Sequence, residues 1–413
     1  MNTLRCLILS WLVVLVFGAY GQTPEEGGLI TAIRISGLKR TKASVAERPL
    51  QQFLGQEADH LDKDAVHGAV MDTGILEPLS VEIQEAPDGK GKLLMVEVRE
   101  KWSLFPLPMV FVGSGRTSFG AFFIDTNAFG LNDKCFIGAL YSNSGWMSAA
   151  AYIHTPVREG FPGWNLSAAF AQAERSHTDQ HNQDLRRFNL DSLRGSAGLS
   201  YLLTGQLQAS LGLSYEQVLL RETQAPLEAP QSGARVMGIG AELAFRRSRW
   251  DGFLLSQESL SGGYTYMAGL QGPSFQVLRL RGIYEKSLFP GFRVNLHTGI
   301  LYEPGVSLLF ESSPGAAQVD ILPNAFVARH YGGASVGVEK YLVKTPLGVL
   351  SGLLSYQGVY SQGSLLGDQF DHGLAGALSF YLSKLAIPAL VLGIAYNIPR
   401  EYLQGSFSLG MSF

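Results

Sequence analysis

The sequence predicts an antiparallel transmembrane β-barrel of sixteen strands, preceded by one small α+β module. Three observations carry this. The last segment, residues 402–413, puts Leu403, Phe407, Leu409, Met411 and Phe413 at one parity and Gln404, Ser406, Ser408, Gly410 and Ser412 at the other. A strand sends successive side chains to opposite faces, so one face is apolar and the other small and polar. The same two-residue period recurs from Leu107 onward, in segments of about 10–15 residues between turn signals. Charged residues make up only 16% of the 413, and 48 are Gly; soluble domains carry roughly 25% charge.

The elements follow in order. Arg5 precedes an apolar run, Leu7 to Phe17, interrupted only by Ser10, and Ala19 and Gly21 are the small residues expected before a cut at Gln22. Residues 1–21 therefore read as a secretory signal peptide. The run is too short for a transmembrane helix, which needs about 20 apolar residues. Between Gln22 and Trp102 there are 10 Lys/Arg and 14 Asp/Glu; beyond Trp102 there are 21 of each in a far longer segment. This shift places a domain boundary near Trp102, giving 22–102 as a charged soluble module and 103–413 as the barrel.

The module reads β-α-α-β-β. Ile30–Ser36 is a strand ending at Gly37, and residues 43–54 have helical spacing despite Pro49. A second helix starts at Asp62 or Asp64 and ends at Gly74, and strands Leu79–Gln84 and Leu93–Val98 flank the turn Asp88-Gly89-Lys90. Barrel segments start near 107, 117, 134, 145, 165, 192, 207, 235, 253, 275, 292, 333, 349, 373, 388 and 402. The polar stretch 174–191 reads as an exposed loop. Glu303–Tyr331 is too long for a hairpin, and long unstructured connections tend to be functional.

No residue pattern points to an enzyme. Gly333-Ala334-Ser335-Val336-Gly337 matches G-x-S-x-G, but it lies in a strand pattern rather than at a strand–turn–helix elbow. Asp72-Thr73-Gly74 occurs once, at a helix end. His177 and His181 are four apart without a supporting Cys cluster or His-Glu-x-x-His motif, so no metal site is expected. No cofactor is expected. Cys6 goes with the signal and leaves Cys135 without a disulfide partner. A net charge of −3 argues against nucleic acid as a partner.

Several motifs together resemble the BamA/TamA-type outer-membrane assembly factors, the superfamily in which POTRA modules precede a sixteen-stranded barrel. They are Gly37-Leu38-Lys39-Arg40-Thr41 after the first strand, Gly74-Ile75-Leu76 before the second, and the closing Val96-Glu97-Val98-Arg99-Glu100. Asp125, Asn127 and Gly130 are similar to the family's D-x-N-x-x-G step, and Phe413 to its C-terminal signal. Arg329, His330 and Tyr331 are similar to the Arg-Gly-Phe/Tyr tip of an in-folded loop. His330 stands where the family has Gly, a substitution expected to disturb a positive-φ tip. Leu354-Ser355-Tyr356-Gln357-Gly358 lacks the family's strand carboxylate.

The resemblance implies a bacterial outer-membrane protein with its POTRA module in the periplasm. Its partners would be unfolded outer-membrane or secreted client proteins and outer-membrane lipid, with periplasmic chaperones or accessory lipoproteins as further candidates. It implies a loop lock of Arg329, His330 and Tyr331 against Glu339 or Asp371. It also implies a lateral gate at Leu107, Val110, Gly113, Phe407, Gly410 and Phe413, where Pro106, Pro108 and the glycines weaken the ladder. Residues 79–84 would receive a client by edge pairing. The alternative reading is a passive pore or surface barrel without insertase activity.

Overall fold

The computed structural model describes residues 28–87, 89–113, 116–155, 161–178, 183–224, 232–251, 254–323, 325–364, 367–382 and 388–409. The signal peptide, His181, Gly410 and Phe413 lie outside the described residues. No described helix is long and apolar enough to cross a membrane.

The first unit comprises the residues up to Ser103 together with the turn Thr126–Asp133. It contains β1 (Ile30–Ser36), α1 (Ala43–Ala46), α2 (Lys63–Met71), β2 (Leu76–Glu85) and β3 (Lys92–Glu100). The sheet order is β1-β3-β2, with β3 parallel to β1 and antiparallel to β2. Leu50, Phe53, Val66 and Val70 pack on Ile30, Leu76, Leu94 and Val96 to form the core. Asp62 caps α2 by accepting from Asp64 N (2.9 Å) and Ala65 N (3.3 Å). The helix expected over 43–54 is instead α1 followed by a 3₁₀ turn, Arg48–Phe53. Pro49 lacks the amide hydrogen an interior α-helical position needs. Asp72-Thr73-Gly74 is local capping: Thr73 Oγ1 donates to Val70 O and accepts from Leu76 N.

The connection after β1 explains two motifs. Gly37 has φ +89°, and a Cβ there would lie 2.0 Å from Val98 O. The Glu100 carboxylate accepts from three successive backbone amides, Lys39 (2.9 Å), Arg40 (3.0 Å) and Thr41 (2.7 Å). Burial pushes the Glu100 pKa up, but these bonds together outweigh it and hold the carboxyl below its usual range. Asn127 Nδ2 donates to Thr41 Oγ1 (2.9 Å), and Asn127 Oδ1 accepts from Asn132 N (2.9 Å). Gly130 O accepts from Lys42 N (2.9 Å). Gly130 has φ +72°, and a Cβ would lie 2.2 Å from Arg40 O. Gly130→Ala is expected to cost about 1–3 kcal/mol locally, read as faster amide hydrogen exchange at Lys42 in the full chain.

The second unit is a closed antiparallel barrel of sixteen strands. The strands are β4 (Leu104–Gly113), β5 (Arg116–Ala128), β6 (Asp133–Ser142), β7 (Gly145–His154), β8 (Pro162–Thr178), β9 (Asp184–Leu202), β10 (Leu207–Gln224) and β11 (Ala234–Asp251). They continue as β12 (Leu254–Gln271), β13 (Phe275–Phe289), β14 (Phe292–Tyr302), β15 (His330–Thr345), β16 (Gly348–Ser364), β17 (Gly367–Leu382), β18 (Pro388–Asn397) and β19 (Tyr402–Leu409). Outward positions are apolar and exposed, as at Leu211, Leu213, Ile239, Leu260 and Leu354. Most inward positions are small or polar; Ser167 and Ser196, for example, share a 2.7 Å hydroxyl contact. This is the alternation of a lipid-facing barrel.

Two departures from the sequence reading matter. Most of the stretch 174–191 is strand: Glu174–Thr178 ends β8 and Asp184–Asp191 opens β9, with residues 179–182 outside the described residues. Arg175, His177 and Arg186 face polar partners inside the barrel, while Glu174 and Arg187 pair with each other on the outer side. The second departure concerns β4, β5 and β6, which are apolar on their inner face as well. Met109, Phe122 and Ile124 are buried there, with Phe105, Leu107, Phe111, Phe136 and Leu140 packed against them. Gly120 and Gly138 make room for Leu140 and Phe122 respectively.

Candidate functional site: the in-folded loop and the seam

The connection 303–329 crosses the barrel interior. On one side Arg175 Nη1 donates to Leu309 O (2.6 Å) and Thr178 N to Ala325 O (3.1 Å), both from β8. On the other side Asp320 N donates to Gln357 Oε1 on β16 (2.7 Å). Asn397 Nδ2 on β18 reaches Ile321 O (3.3 Å), and Gln404 Nε2 on β19 reaches Leu322 O (3.1 Å). β8 and β16 are diametrically opposed in a ring of sixteen, so a segment bonded to both spans the lumen. Apolar contacts hold it along the way. Ile321, Leu322 and Phe326 pack on Leu301, Val359 and Ala375. Leu309 packs on Phe188 and Val218, and Val306 on Met267 and Phe275.

The central polar contact is Arg186 Nη2 to Glu311 Oε2, 2.7 Å, with both side chains almost fully buried. Arg186 Nε also donates to His177 Nδ1 (2.7 Å). Arg329 Nε lies 3.5 Å from Glu311 Oε1, and the Arg329 side chain is about half exposed. The expected partners of Arg329 are therefore corrected: it meets Glu311 on its own loop, not Glu339 or Asp371. Glu339 instead joins a wall network, accepting from Arg293 Nη2 (2.5 Å), Ser351 Oγ (2.5 Å) and Tyr381 OH (3.0 Å). Asp371 accepts from Arg400 Nε (2.5 Å) and Asn397 Nδ2 (3.1 Å), which fastens the β18–β19 turn.

His330 does not distort the loop tip. It opens β15 in the regular ladder, stacks on Tyr302 at a centroid distance of 4.3 Å, and its Nδ1 accepts from Glu303 N (3.0 Å). The left-handed non-glycine position of this connection is Gln318, φ 60°. Tyr331 is buried and its hydroxyl donates to Ser312 O (3.0 Å), tying the two limbs of the loop together. The loop therefore supplies acids and carbonyls (Glu311, Asp320), while the wall supplies the donors (Arg175, Arg186, Gln357, Asn397). Gln357, in the strand segment that lacks the family's carboxylate, binds the loop in both directions, accepting from Asp320 N and donating to Asp320 Oδ2 (3.3 Å). Ser335 sits mid-strand in β15 between His297 and Gln357, so no nucleophile elbow exists there.

Burial raises the pKa of Glu303 to about 7; neighbouring Glu311 adds to this, while Ser312 and Arg279 oppose it. Burial likewise raises Glu311, against Arg186 and Arg329. A carboxyl raised in the seated loop binds its proton more tightly there than when released. Seating therefore weakens as pH rises from about 4.5 toward 7. More frequent channel opening is expected at pH 8 than at pH 5.5, and Glu303→Gln is expected to flatten that dependence in single-channel recordings.

At the seam, β19 pairs β4 through Ser406–Gly113, Phe407–Val112, Ser408–Phe111 and Leu409–Val110. Among the described residues this is four pairs, against ten for β4–β5 and eight for β18–β19. Residues 402–405 extend past Gly113, the end of β4. β4, on one side of the seam, is short, with ten residues among those described, whereas β8–β12 have 17 to 19. Leu107 lies inward in the apolar patch of β4–β6, and Val110 is part of the seam.

A closed sixteen-stranded barrel whose interior is crossed by one long loop is the class this geometry defines. No protein-family model and no curated sequence matches the chain. Its fold is that of solved BamA and CdiB structures. BamA from Haemophilus ducreyi lacking POTRA domains 1–3 aligns with TM-score 0.62 at 12% identity, covering 93% of this chain and 84% of that one. CdiB from Acinetobacter baumannii aligns with TM-score 0.66 at 13% identity (94% and 74%), and CdiB from Escherichia coli with 0.66 at 13% (94% and 77%).

Proposed function

We propose that this chain is a bacterial outer-membrane factor that assembles or translocates client proteins. In this reading residues 1–21 are a signal peptide, 22–102 a periplasmic POTRA module and 103–413 the membrane barrel. The edge of β2, including 79–84, receives an unfolded client by strand addition. The client then templates on β4 as the β19–β4 seam parts. No nucleotide or cofactor enters; burial of apolar strands in lipid supplies the free energy. The observation that carries this is the wall at the seam, β4 to β6, apolar on both faces, joined to β19 by four ladder pairs among the described residues. A passive aqueous pore needs neither an apolar inner wall nor a loop across its lumen. The short β4, ten residues, supports local bilayer thinning beside it, which lowers the barrier to insertion.

The test is in-cell photocrosslinking from a probe at Val110. Capture of the C-terminal segments of other barrels is expected. Capture of only this chain's own last strand would overturn the reading in favour of a closed pore or surface barrel.

A further inference from the structure

We propose that the outward face of β11, β13 and β15, at the end of the barrel where β4 begins, binds anionic phospholipid headgroups. The inference rests on the outer-membrane reading above for its setting. Four cations project there: Arg247 and Arg249 on β11, Lys286 on β13 and Lys340 on β15. All four are exposed. They share outward parity with Leu243, with Tyr284 and Leu288, and with Val338 and Leu342, all exposed apolar residues.

Their ladder neighbours do not neutralise them. Arg249 is opposite Ser256, Lys286 opposite Val294 and Lys340 opposite Phe292. Only Arg247 faces an acid, Glu258. Among the described residues none of the four has an ion-pair partner within 4 Å. The surroundings are apolar, with Leu288, Phe289 and Leu342 exposed beside them. A cation on a lipid-facing wall is stable only where its head reaches an interface and finds a counter-anion. A phosphate ester supplies both. Elsewhere at the same end β4 presents Leu104, Pro106 and Pro108, β8 presents Trp164 and Leu166, and β5 presents the acid Asp125 opposite Leu104, so no cation stands there on those strands. The charge is therefore one-sided. β11 lies opposite the β19–β4 seam in the ring, so phosphate binding would hold the back of the barrel at headgroup depth and leave the seam side free.

The test needs no client. The chain is purified into nanodiscs of equimolar phosphatidylglycerol and phosphatidylcholine, and retained lipids are counted by native mass spectrometry. Enrichment of phosphatidylglycerol is expected, falling by roughly fivefold for each cation removed. R247Q/R249Q/K286Q/K340Q is expected to retain both lipids equally, and R247K/R249K to keep the preference. Heat-modifiable migration on gels reports folding. If the quadruple variant does not fold, R247Q/R249Q and K286Q/K340Q are measured separately, each expected to lose part of the preference. Equal retention by the parent, a preference unchanged in the variants, or stronger retention of lipid A than of phosphatidylglycerol would overturn the proposal. Loss of client assembly with lipid preference intact would count against the assembly reading alone.

Discussion

Arg186→Ala is expected to unseat the loop and turn a largely closed barrel into a conducting one. Among the described residues the guanidinium is the only basic group wholly buried against Glu311, since Arg329 approaches from half-exposed solvent at 3.5 Å. Removing it leaves buried Glu311 with Arg329, half-exposed at 3.5 Å, as its remaining charge partner among the described residues. Breaking one side of a buried pair costs about 3–5 kcal/mol, because the surviving charge is uncompensated. Release is cheaper, since Glu311 regains water once the loop leaves the lumen. Protonation of Glu311 offers a second escape, so the effect is expected to be larger at pH 8 than at pH 5.5. Replacing both partners, as in R186M/E311L, removes the charges together and is expected to leave the loop seated. Single-channel conductance in planar bilayers separates these outcomes. High conductance in the single variant with near-parental closure in the double one supports the lock. Equal closure in all three would mean that the apolar contacts of Ile321, Leu322 and Phe326 hold the loop alone.

The barrel was legible from the sequence because lipid enforces a period of two over many strands. Segments such as Leu207–Glu216 show that alternation without tertiary context, and the observed strands start within a few residues of most expected positions. The two large misses, near 192 and 373, have a common cause. β9 starts at Asp184 and β17 at Gly367, where inward polar residues such as Arg186 and Asp371 interrupt the apolar pattern. Arg186 and Glu311 are 125 residues apart, and no local period links them. The motif Arg329-His330-Tyr331 pointed to the right segment but to the wrong carboxylate. The absence of a carboxylate in 354–358 concealed a wall contact, because neutral Gln357 hydrogen-bonds Asp320 of the loop instead. Apolar inner residues such as Met109 and Phe122 are likewise invisible to a rule that assumes a polar lumen.

A disulfide across the seam is expected to abolish client assembly while leaving the barrel folded. Val112 and Phe407 are direct ladder partners on β4 and β19. Paired antiparallel residues have Cα atoms about 4.5–5.5 Å apart, within the range a disulfide spans. V112C/F407C, with Cys135→Ser to remove the competing thiol, would make the β19–β4 junction covalent. If assembly requires β4 to exchange its partner strand for a client strand, the oxidised protein is inactive and reductant restores it. The control is L213C/I239C, which staples β10 to β11 at another directly paired, outward position. That junction has twelve register pairs and no role in strand exchange, so stapling it is expected to change nothing. The contrast decides between a seam that must open and a barrel that acts as a rigid whole. An oxidised V112C/F407C protein that still assembles clients would confine the activity to the lumen and the N-terminal unit. Inactivity in both stapled variants would point to a general need for barrel deformation rather than to a gate at β19–β4.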